Sequence, residues 1–170
     1  MKQWTFFLFL LTFVACSKDE NTSFSTSDIK GTWNLASITC TDGVSNSEFQ
    51  GQKLTSTFVL SSKDHNATVV FSENPNTFVS KGSYTAIFTS TLAGVKDTQE
   101  TPFVDFTSTG TWKIEGNMLI ISYAGEPDQK AEITRLDANN LEYKVLVNET
   151  IEDLGFKVTA TGTYINKLTR

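Results

Sequence analysis

The feature that most constrains this chain is a period-two alternation of apolar and polar residues, interrupted by turn clusters, that runs through most of residues 54–164. Leu54, Phe58 and Leu60 alternate with Thr55, Thr57 and Val59; then come Val69 and Phe71, Phe78 and Ser80, and Tyr84, Ala86 and Phe88. Between them lie Glu73-Asn74-Pro75-Asn76 and Lys81-Gly82, composed of turn residues. Successive side chains of a strand point to opposite faces, so this pattern makes half-buried strands and cannot make the apolar stripe of a helix.

The clearest hairpin runs through Trp112 and Ile114, turns at Glu115-Gly116-Asn117, and returns through Met118, Ile120 and Ser122. Three strands follow: one over residues 130–135, one carrying Leu141, Tyr143, Val145 and Val147, and one carrying Phe156, Val158, Ala160, Gly162 and Tyr164. Asn139 and Asn140 suit a left-handed turn between the first two. The count is eight or nine strands, with residues 41–53 and 92–101 left as long polar connections. One short capped turn at Ser27-Asp28-Ile29-Lys30 is the only helical signal in the domain.

At 170 residues the chain holds one core rather than two, and 13 Phe with abundant Thr and Ser agree with strands. The fold class is therefore all-β. An antiparallel up-and-down barrel of about eight strands removes sheet edges altogether, and an open β-sandwich is the alternative.

Residues 1–15 place Lys2 before an apolar run, the layout of a signal peptide, and the run ends too soon to span a bilayer of about 20 apolar residues. Val14-Ala15-Cys16 resembles the lipobox of bacterial lipoproteins, with Phe13 where Leu is usual. That resemblance implies cleavage before Cys16, diacylation of its thiol with palmitate-like chains, and acylation of the new amine. Lys18-Asp19-Glu20 resembles the Bacteroidota-type signal that carries lipoproteins to the cell surface, which implies an outer-membrane protein facing outward. The expected organisation is a signal peptide (1–15), a lipidated cysteine with a polar tether (16–27) and a β-domain (28–170).

The net charge is −5, and removal of Lys2 leaves 13 basic against 19 acidic residues. No basic block is available for phosphates or anionic headgroups, so nucleic acid is not an expected partner and membrane attachment rests on lipid at Cys16. Cys40 alone remains beyond the anchor, so no intramolecular disulfide can form, and a buried inert thiol is expected.

Gly31-Thr32-Trp33 resembles the Gly-x-Trp of lipocalins, and residues 110–119, 132–136 and 140–143 are similar to the lipocalin-like domains of small bacterial lipoproteins. The resemblance spans about residues 29–168 and implies a barrel whose Trp33 closes one end under a basic residue of the last strand. Lys167 and Arg170 are both candidates for that residue.

No catalytic constellation is present. His65, the only histidine, falls in a polar segment read as a turn, no Gly-x-Ser-x-Gly elbow exists, and the acids Glu126, Asp128, Glu149, Glu152 and Asp153 read as turn residues. No metal or cofactor is expected. Phe58, Phe71, Tyr84, Phe88, Trp112, Tyr143, Phe156 and Tyr164 are candidates to line a pocket for an apolar ligand. Eight strands leave room for side chains or one small ligand, and the amount of Phe favours filling. The expected function is a non-catalytic, membrane-anchored binding module for a small apolar ligand or a loop-recognised partner. A structural or interaction protein of the cell envelope is the alternative.

Overall fold

The structure, a computed structural model, describes residues 24–153 and 156–170, the side chains of Asp153 and Phe156 excepted. Cys16, Lys18, Asp19 and Glu20 lie outside the described residues. Eight antiparallel strands follow one another around a closed barrel: β1 (Gly31–Phe49), β2 (Gln52–Ser72), β3 (Thr77–Leu92), β4 (Val95–Glu115), β5 (Met118–Ser122), β6 (Gln129–Leu136), β7 (Asn140–Asp153) and β8 (Phe156–Thr169). β8 pairs back onto β1. The ring is the expected up-and-down barrel, and the sandwich alternative falls.

Helix α1 (Thr26–Ile29) precedes β1. Ser25 caps it, and the Asp28 side chain reaches back to the Ser25 backbone, so the capping box starts earlier than the Ser27 cap that the sequence suggests. Phe24 packs on the core and donates its N–H to Gly116 O, so packing extends ahead of Asp28.

The core fills the lower part of the barrel. Trp33, Phe71, Phe78, Trp112, Leu119, Ile121, Ala131, Ile133, Leu141 and Leu168 form one buried cluster, with Ile29 of α1 pressed in from below. The two indoles keep their polar ends satisfied: Trp33 Nε1 donates to Ile29 O at 2.7 Å, and Trp112 Nε1 to Ser72 O and Thr77 O at 3.1 Å.

Strand length differs from the sequence reading in three places. Residues 41–53 and 92–101 are paired strand, with register continuous to Phe49↔Gln52 and Leu92↔Val95 at the tips, and are not loops. Residues 92–101 meet solvent on both faces, so selection for alternation disappears there, whereas in 41–53 the register shifts about Cys40 and Gly43 break the alternation. The segment holding His65 is a bulge inside β2, between Lys63 and Asn66, with Asp64 at φ 55°. Glu149, Glu152 and Asp153 belong to β7 and not to a turn.

β5 and β6 are short, whereas the other six strands rise past them. The barrel is closed at the level of its core. Higher up it is an open sheet in the order β7-β8-β1-β2-β3-β4, with a gap above β5 and β6.

Candidate functional site

On top of the core, at the gap, lies a cavity of about 410 Å³. The chain has four tyrosines, and all of them line it: Tyr84 from β3, Tyr123 after β5, Tyr143 from β7 and Tyr164 from β8. Inward alternation places the three strand tyrosines there, as on β7, where Leu141, Tyr143, Val145 and Val147 share the inner face. Phe103, Leu60, Ala86 and the valines complete an apolar wall, and Gln129 and Asn166 add two carboxamides.

Neighbouring rings fix two of the phenols. Tyr84 stacks on Phe103 with centroids 4.9 Å apart and meets Phe106 edge-on, and Tyr123 meets Phe78 edge-on at 5.5 Å. Burial pushes all four phenols above their ordinary pKa, Tyr143 furthest. Among the described residues the hydroxyls of Tyr84, Tyr143 and Tyr164 have no hydrogen-bond partner. No Asp, Glu, Lys, Arg or His lines the cavity. A charged guest would lose hydration with nothing to replace it, whereas an uncharged guest with a few polar atoms meets apolar walls and neutral donors.

Of the sequence candidates, Tyr84, Tyr143 and Tyr164 line this cavity. Phe71 and Trp112 lie beneath it in the packed floor, edge to face at 5.6 Å. Phe58 and Phe88 pack on each other with centroids 5.0 Å apart and do not line it. Phe156 pairs with Asp153 and Phe49 in the ladders, and its side chain lies outside the described ones. Tyr123, Gln129 and Asn166 were not among the candidates. Tyr123 and Gln129 flank the short β5–β6 connection, where no alternation marks a face, and Asn166 is a polar residue at an inward position.

At the closed end Arg170 lays its guanidinium 3.9 Å over the Trp33 ring and donates to Asp28 O and Lys30 O. Lys167 instead pairs with Glu142 at 2.9 Å. Cys40 is buried and free, with its thiol raised by burial and donating to Asp42. His65 Nε2 contacts Ser62 Oγ at 2.8 Å, but that hydroxyl is already engaged with the N–H and carbonyl of Ile38. Among the described residues no group of three His, Cys, Asp or Glu side chains is placed to hold a metal.

The family model described as a lipocalin-like domain matches residues 29–143. No curated protein and no solved structure matches the chain. The match covers more than half of the chain and runs from Ile29 under the Trp33 plug to Tyr143 on the cavity, so the chain belongs to the lipocalin-like domain family.

Proposed function

We propose that this chain is a non-catalytic binding module that holds one small, uncharged, amphipathic molecule in the upper barrel. The convergence of all four tyrosines on one cavity, with no charged residue among the described residues that line it, carries the reading. Apolar walls would supply affinity through buried area, and the phenols and carboxamides would select orientation. The lipobox-like Val14-Ala15-Cys16 and the Lys18-Asp19-Glu20 segment support attachment by lipid at the outer membrane, facing outward.

Mass spectrometry of the protein taken from its own host tests both parts. The expected result is an acylated peptide beginning at Cys16 together with one co-extracted neutral molecule. An unmodified N-terminal peptide would remove the anchor, and an extract without a stoichiometric small molecule would count against the cavity. Cys16→Ser is expected to release a soluble domain or to block processing.

A further inference from the structure

The open upper sheet has two free edges. β5 pairs with β4 only over residues 111–115, and Ser122 and Tyr123 reach no higher than Gly110 and Ser108, so residues 95–107 of β4 have no paired strand on that side among the described residues. β6 pairs with β7 no higher than Val145, which leaves residues 146–153 of β7 equally bare on that side. Among the described residues the four most exposed large apolar side chains lie on these two strands: Val95 (72%) and Val104 (70%) on β4, Leu146 (77%) and Ile151 (67%) on β7.

The two edges differ in their protection. β4 is blunted in its backbone: Pro102 has no N–H to give, Asp105 turns to φ 48°, and the register with β3 slips at Gly82/Tyr84. β7 has none of these devices. Its pairing with β8 is unbroken from Asn140↔Thr169 to Asp153↔Phe156, without proline or bulge, so its outer N–H and C=O groups form a regular template. A groove of about 610 Å³ runs at its foot, lined in part by Met118, Pro127, Leu146 and Glu149.

Charge decides the occupant. Residues 146–153 carry Glu149, Glu152 and Asp153 and no base; Glu152 is paired with Lys157 at 2.8 Å, and of the two lysines along the groove Lys144 is paired with Glu132, which leaves Lys130. Two copies joined edge to edge would set acid against acid, whereas a basic strand would meet complementary charge.

We infer that the upper edge of β7 is a docking site for an extended peptide segment that alternates basic and apolar residues and adds to the sheet as a further strand in the gap above β6. Backbone hydrogen bonds to residues 146–152 supply affinity, Leu146 on one face takes the apolar side chains, and Glu149 on the other face, at the groove, selects the basic ones. The site does not depend on what the cavity holds.

Amide hydrogen exchange of the full chain, with and without a synthetic peptide alternating Lys with Val or Thr over about eight residues, tests it. The expected result is exchange slowed about tenfold or more at residues 146–152, with no effect from the same peptide carrying Glu for Lys. E149K, at an exposed position, should abolish the protection while the circular dichroism spectrum stays unchanged. Absence of protection, equal protection by the Glu peptide, or protection centred on β4 would overturn the inference. So would protection of β7 that appears without peptide as protein concentration rises, because the occupant would then be a second copy.

Discussion

Arg170 and Lys167 lie on or just past the same strand, and their surroundings give them unequal weight. Arg170 covers Trp33 and bonds two carbonyls at the end of α1, whereas Lys167 forms an exposed pair with Glu142. Arg170→Ala is therefore expected to lower unfolding free energy by about 1–3 kcal/mol, and Lys167→Ala by less than about 1 kcal/mol, in parallel urea titrations. The tyrosines give a second prediction. Their phenols are raised by burial, so the folded state holds these protons more tightly than the unfolded chain. That contribution to stability is complete below the ordinary phenol pKa of 10.0 and is lost as pH rises through the higher folded values. Ultraviolet titration should show little phenolate at pH values where free tyrosine is half ionised (about 10) and its abrupt appearance at unfolding. Three of the tyrosine positions were legible in the sequence because inward alternation marks them, and Trp33 was legible through the resemblance of Gly31-Thr32-Trp33 to the lipocalin Gly-x-Trp. The choice of Arg170 over Lys167 was not, because strand spacing alone cannot follow the bulges in β1 that set the β1–β8 register.

Two bulged elements show how the barrel closes despite irregular strands. The β1–β8 ladder loses register between Thr39 and Val44, and Asp42 fills the break: its carboxylate accepts from Thr163 N at 2.8 Å and Thr163 Oγ1 at 2.7 Å. These bonds hold the Asp42 carboxyl below its ordinary pKa. The stabilisation is present above the ordinary value of 3.8 and is lost as pH falls through the depressed one. Asp42→Ala should lower the protection factor of the Thr163 amide at neutral pH, and protonation of Asp42 in acid should do the same to the parent protein once the intrinsic slowing of exchange is divided out. Opposite the β2 bulge, Gly82 at φ 126° has no room for a side chain, since a Cβ would stand 2.1 Å from Asn66 O and 2.6 Å from Ala67 Cα. Gly82→Ala is expected to cost more than about 3 kcal/mol, read as a large drop in melting temperature. The hairpin at Glu115-Gly116-Asn117 was legible, and Gly116 at φ 65° supplies its turn. The turn expected at Asp137-Ala138-Asn139-Asn140 joins β6 to β7, but neither Asn is left-handed, and the Asp137 carboxylate instead takes both of their N–H groups at 2.9 Å. Those bonds and Arg135 hold its pKa down to about 2.

At the scale of the whole molecule the barrel divides into a filled half and an open half. The sequence set filling against lining as alternatives for one group of aromatic residues, and the structure separates them by height: Phe71 and Trp112 fill, while Tyr84, Tyr143 and Tyr164 line. That separation depends on the shortness of β5 and β6, which removes one wall of the upper barrel and opens the cavity. No local pattern announces a missing wall, because it arises from the lengths of strands far apart in the chain. The central claim is that this tyrosine-lined space binds an uncharged amphipathic guest. Fluorescence titration with an uncharged, polarity-sensitive apolar dye, on the parent protein and on Ala86→Trp and Val147→Trp, tests it most directly. The account predicts one dye per parent chain and affinity weakened about tenfold or more in both filled variants, with folding verified by circular dichroism. Undiminished binding in well-folded filled variants, or no binding to the parent protein, would contradict it.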